Sequence, residues 1–96
     1  ATNYSANTEF QSKESACMVN YKLIALSRNI WPYKKGFTWA DPDVSQAAEY
    51  MKKLYTDKNF YCGMQKNGQQ YILNKLSIES IRTIMKEQIK RIYESV

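Results

Sequence analysis

The chain has 96 residues, enough for one small domain, and carries 14 Lys and Arg against 9 Asp and Glu, for a net charge of +5. It contains no histidine, which removes the commonest general base and metal ligand, and its three glycines form no phosphate-cradling loop. No apolar run approaches the roughly 20 residues needed to span a bilayer, and a core of this size leaves a thin stability margin.

Residues 1–13 are polar, rich in Asn, Ser and Thr, with Tyr4 and Phe10 as the large apolar groups. Their composition predicts a flexible N-terminal arm ahead of a single domain over 14–96. The chain opens on Ala1, which suits a processed mature protein and equally a trimmed one. Asn3-Tyr4-Ser5 matches the glycosylation acceptor pattern and adds some weight to secretion.

Ser15 to Ser27 fits two periods. Cys17, Val19, Tyr21, Leu23 and Ala25 alternate as a strand does, whereas Ala16, Val19, Leu23 and Leu26 fit a helical face. The strand is favoured, because a lone hairpin is a marginal sheet and a third strand gives two amphipathic helices a platform.

Arg28 to Ala40 reads as a loop or a short irregular edge strand, broken by Pro32 and Gly36. Four aromatics, Trp31, Tyr33, Phe37 and Trp39, stand there with Lys34 and Lys35 between them, the most unusual local composition in the chain. Asp41 then reads as a helix cap with Pro42 in the first helical position, predicting a helix over about 42–56. Its apolar face is Val44, Ala47, Ala48, Met51, Leu54 and Tyr55.

Asn67-Gly68 supplies the two positive φ angles of a type I′ turn most readily, so 60–75 reads as an antiparallel hairpin. That register puts Phe60, Cys62, Met64, Tyr71 and Leu73 on one face. A last helix over about 78–95 is capped by Ser77 and stapled by Leu76 and Ile81. Ile78, Ile81, Ile84, Met85, Ile89, Ile92 and Val96 give it one apolar stripe. The expected fold is thus α+β, a small two-layer sandwich in the order strand, helix, strand, strand, helix, with the two helices covering the hairpin.

Cys17 and Cys62 are expected to be disulfide-bonded, joining the first strand to the hairpin and stabilising by roughly 3–4 kcal/mol in the chain-entropy model. The alternative is a pair of reduced, buried thiols. With no histidine and no Cys-x-x-Cys spacing, the cysteines suggest neither a nucleophile nor a zinc site. Asp41, Asp43 and Glu79 are explained by helix starts, and no spacing among the other carboxylates singles out an acid and base pair. No catalytic residue, metal or cofactor is therefore assigned.

The binding residues suggested are Trp31, Tyr33, Lys34, Lys35 and Phe37, since aromatic faces stack and lysines meet acidic groups. The contrary reading folds these aromatics over an open sheet edge, and Trp39, next to the helix start, is expected to be packed. The basic residues are scattered, with Lys34-Lys35 and Lys52-Lys53 as adjacent lysine pairs, so a solvated surface explains them better than a nucleic-acid face does.

In element order, and at Val44-Ser45-Gln46-Ala47-Ala48 and Phe60-Tyr61-Cys62, the chain resembles the α/β-sandwich killer toxins of smut fungi and the secreted fungal effectors built on that plan. The aromatic-x-Cys pattern of Phe60 to Cys62 is also similar to a motif of powdery-mildew secreted effectors. The resemblance implies a secreted fungal virulence protein acting on another organism, and it carries over no functional residue. The expectation is a secreted, monomeric, non-enzymatic effector or toxin-like protein that binds a host protein, outside or inside the host cell. The alternatives are a basic nucleic-acid-binding module and a histidine-free ribonuclease-like enzyme.

Overall fold

The computed structural model describes all residues 1–96. The fold is α+β. Strands β1 (Tyr21–Ala25) and β2 (Thr38–Pro42) form a two-stranded antiparallel sheet, followed by helices α1 (Val44–Thr56), α2 (Lys58–Leu76) and α3 (Ile78–Glu94). The strand predicted within 15–27 and the helices predicted at 42–56 and 78–95 are thus present, each with shifted ends.

The N-terminal residues are tied to the sheet's entrance. The backbone amide of Asn3 donates to the Val19 carbonyl at 2.8 Å and that of Val19 to the Ala1 carbonyl at 2.7 Å, so Thr2 and Val19 form a parallel bridge. A 3-10 turn at Ser5–Glu9 follows, and Tyr4 lies against Tyr21 with ring centroids 5.0 Å apart. Met18, Val19 and Leu26 are the three buried residues of the whole chain. The core therefore sits at the two ends of β1, with the N-terminal residues bridged to the chain just before its start.

β1 and β2 pair from Tyr21 with Pro42 to Ala25 with Thr38. That pairing moves the first helix start. Asp41 and Pro42 belong to β2, opposite Lys22 and Tyr21, and Asp43 is the cap, its carboxylate accepting from the Gln46 amide at 3.0 Å. Proline is tolerated at the strand's end because no ladder bond is asked of its missing N–H. The Asp43 amide donates to the Asn20 carbonyl at 2.8 Å, and Gln46 Oε1 accepts from the Asn20 amide at 2.6 Å, fixing α1 to the foot of β1.

The hairpin predicted at 60–75 is not formed; the same residues are α2. Phe60, Met64 and Tyr71 lie on the strand template, but they are also four and eleven residues apart, and in α2 they are the less exposed line together with Gly68. The residues between them decide the outcome. Gln65, Lys66, Gln69, Gln70, Leu73 and Lys75 are straight-chain helix formers, and Ile72 is the lone β-branched residue of the stretch. Asp57, which ends α1, also caps α2, its carboxylate accepting from the Phe60 amide at 3.0 Å.

Asn67-Gly68 has a different use. Asn67 Nδ2 donates to the Glu14 carbonyl at 3.2 Å, and a Cβ on Gly68 would stand 3.1 Å from the Ser15 carbonyl oxygen. The dipeptide marks the spot where the N-terminal residues run close over α2 rather than a reversal of the chain.

Without a C-terminal hairpin there is no two-layer sandwich. The substantial contacts between elements join β1 to β2, α1 to α2 and α2 to α3, so the last two helices do not cover the sheet. A single residue separates each pair of helices, Asp57 and then Ser77. The chain extends over 49 × 43 × 18 Å with a radius of gyration of 18.5 Å. A compact chain of this length has a radius of roughly 12.5 Å.

Candidate binding loop between the strands

Two consecutive tight turns build the segment that joins β1 to β2. In the first, Ile30 and Tyr33 exchange backbone hydrogen bonds of 2.9 and 2.6 Å around Trp31 and a cis Pro32. In the second, the Phe37 amide donates to the Lys34 carbonyl at 3.1 Å, with Gly36 at φ +90°, a conformation L side chains rarely adopt. Asn29 Oδ1 accepts from the Lys35 amide at 2.8 Å, and Leu26 holds the base by bonding both Phe37 and Gly36.

This scaffold puts every suggested binding residue in solvent. Trp31, at the tip of the first turn, is 93% exposed, and Tyr33, Lys34, Lys35 and Phe37 are exposed beside it. The loop does not fold over the sheet's edge. Trp39, expected to be packed, is only partly covered at 38% exposure; it stands in β2 opposite Ile24, with the Tyr33 ring edge-on at 6.3 Å. That contact braces the loop from below and leaves Trp31 without a neighbour.

Cys17 and Cys62 are both free thiols, Cys17 half-buried and Cys62 exposed on α2. The expected bridge between them is not formed in this structure. It presumed two neighbouring strands, and Cys62 lies instead on a helix. No group of three or more His, Cys, Asp or Glu side chains is placed to hold a metal ion, and no helix is long and apolar enough to cross a membrane.

The comparisons add no relative. No protein-family model, no curated protein and no solved structure matches the chain.

The second exposed apolar surface was legible in the sequence as a stripe but not as a surface. Ile78, Ile81, Met85, Ile89 and Ile92 run along α3 as predicted, yet all are exposed, since the hairpin meant to receive them is α2. The first four of these, with Leu76, line a groove of about 460 Å³ edged by Arg82 and Lys86.

Proposed function

We propose that the chain is a non-enzymatic binding protein whose β1–β2 loop engages another protein. One observation carries this reading: an almost fully exposed tryptophan sits at the tip of a hydrogen-bonded turn, flanked by Tyr33, Phe37 and two lysines. Trp and Tyr dominate the energetics of protein interfaces when they enter a pocket. Burying one tryptophan removes about 150–250 Å² from water, a gain of roughly 4–6 kcal/mol before the costs of association. Both turns are closed by backbone hydrogen bonds, so little of that gain is spent on ordering the loop. Lys34 and Lys35 favour a partner surface with acidic groups at its rim.

An effector-like, secreted setting belongs to the same proposal. Its support is the resemblance and the exposed Asn3 of the acceptor triplet. Two unbonded thiols weigh against it, because thiols stay reduced mainly inside cells.

The test compares the wild-type chain with a variant carrying Trp31→Ala, Tyr33→Ala, Lys34→Ala and Lys35→Ala. Both are used as bait with a photo-crosslinker in place of Phe37, and both are titrated with a generic single-stranded RNA at physiological salt. Protein crosslinks at Phe37 that vanish in the variant, while its circular dichroism is unchanged, support the reading. Crosslinks that persist in the variant refute it. RNA binding below micromolar that falls steeply with salt would replace it with the nucleic-acid alternative.

A further inference from the structure

We propose that the outer edge of β1 is a strand-addition site, taking an extended segment of a partner protein as a third strand beside Tyr21–Ala25. The site is separate from the loop, and the inference does not depend on what the loop binds.

The ladder to β2 decides which backbone groups are already used. The Asp43 amide donates to the Asn20 carbonyl and the Leu26 amide to the Phe37 carbonyl, in the same register that pairs Lys22 with Asp41 and Ile24 with Trp39. Hydrogen-bonded pairs alternate with non-hydrogen-bonded ones along an antiparallel ladder. Asn20, Lys22, Ile24 and Leu26 therefore turn their N–H and C=O groups towards β2, while Tyr21, Leu23 and Ala25 turn theirs away. Those three residues have no other backbone partner, and every residue of β1 is exposed. A row of donors and acceptors at this spacing is matched by another extended backbone.

The chain itself begins to cover this edge. Just before Tyr21, the outward groups of Val19 are taken by Asn3 and Ala1, at 2.8 and 2.7 Å. That strand ends at once, because the Tyr4 amide folds back onto the Thr2 carbonyl at 2.8 Å. No helix packs on the rest of the edge, since the one element in substantial contact with β1 is β2. The opposite edge of the sheet is blunted: Pro42 stands in a non-hydrogen-bonded pair of β2, so its place on the outer side has no N–H to give.

A second copy of the chain fits the β1 edge poorly. Two-fold pairing centred on Leu23 would set Ser27 of each copy beside Val19 of the other, where Thr2 already lies. Registers that clear Thr2 pair fewer residues. A segment with free flanks meets no such obstacle. Its side chains are selected by their neighbours on β1. Lys22 is exposed and takes part in neither of the chain's two ion pairs, so an acidic residue is favoured beside it. Leu23 and Ile24 are exposed apolar groups and favour apolar residues beside them.

The probe is a capped synthetic peptide with Glu-Val-Val at its centre, flanked by Thr and Ser, added to about 1 mM to the isotope-labelled 96-residue chain. Amide hydrogen exchange is read by NMR. In the chain alone, Lys22 and Ile24 should be protected while Tyr21, Leu23 and Ala25 exchange fast. The peptide should slow those three amides by roughly tenfold or more and leave Lys22 and Ile24 unchanged. N-methylating one alternate set of peptide amides should abolish the effect, and methylating the other set should not. Leu23→Pro removes an outward donor but no bond to β2, and should weaken the peptide by roughly tenfold. Lys22→Glu keeps every backbone group and should reverse the preference between this peptide and one with Lys in place of Glu. No slowing at any of the three amides, or equal slowing at all five, overturns the inference. Protection of the three that rises with protein concentration in the chain alone also overturns it, in favour of a second copy. The loop variant described above should still bind the peptide, so failure of the loop reading and failure of this one are separate outcomes.

Discussion

Two glycines of α2 provide a matched pair of perturbations. Gly63 and Gly68 both lie inside the helix, where glycine costs about 0.5–1 kcal/mol relative to alanine. A Cβ at Gly63 meets nothing within 4 Å, so Gly63→Ala should gain that full amount. A Cβ at Gly68 meets the Ser15 carbonyl at 3.1 Å, a contact tighter than ordinary packing against backbone, which must shift by a few tenths of an ångström. The helical gain and the strain then roughly cancel, and Gly68→Ala should fall below Gly63→Ala by about 0.5–1 kcal/mol. For a chain of this size the difference is roughly 2–8 °C in thermal midpoint. Melting is followed by circular dichroism at one fixed protein concentration, because association shifts the midpoint. Removing residues 1–16 should bring Gly68→Ala level with Gly63→Ala in that shortened background. Equal gains in the full chain would show that the N-terminal residues do not cross α2. A loss well above 1 kcal/mol that persists in the shortened chain would show instead that Gly68 needs a positive φ, as a hairpin at Asn67-Gly68 requires.

Three further outcomes follow from the geometry. Trp31→Ala should change stability by about 0.5 kcal/mol or less, as at surface sites, whereas Trp39→Ala, with its neighbours Ile24 and Tyr33, should cost roughly 2 kcal/mol in urea unfolding; equal costs would show that Trp31 is packed. Asp57→Ala removes the acceptor for the Phe60 amide and should cost about 1 kcal/mol, with Asp57→Asn close to wild type; three equal midpoints would rule out a helix start there. In protein purified without reductant, mass spectrometry after alkylation should find two modified cysteines, the exposed Cys62 reacting before Cys17, and a mass two hydrogens lower that resists alkylation until reduced would restore the disulfide.

The sequence was most legible where a side chain satisfies the backbone next to it. Ser77 is the cap it was read to be, its Oγ accepting from the Ser80 amide at 3.2 Å, and α3 follows as the stripe predicts. The strand within 15–27 and the α+β class were legible for a related reason, since alternation from Tyr21 to Ala25 needs only one neighbour, β2, to be realised. Asn67-Gly68 misled because its two residues fit a turn and also a close backbone approach, and the second use is visible only once Glu14 and Ser15 are in place. The missed signal was Asp57, a capping residue just past the predicted helix end at 56, which closes α1 and also starts α2. The loop's exposure was legible from Pro32 and Gly36, but the partial covering of Trp39 depends on Ile24 and Tyr33, which sequence spacing does not bring together.

The one-residue link at Ser77 makes α3 a lever. Its 17 residues form a rod about 25 Å long, and its aim is set chiefly by the torsions of one amino acid, φ −63° and ψ 157°. A change of 10° there swings the far end by roughly 4 Å, nearly one turn of helix. Ser80 opposes that swing, its Oγ donating to the Asn74 carbonyl at 2.6 Å from across the bend. The position of Tyr93 relative to the sheet therefore depends on a hydroxyl group nearly the whole length of the rod away.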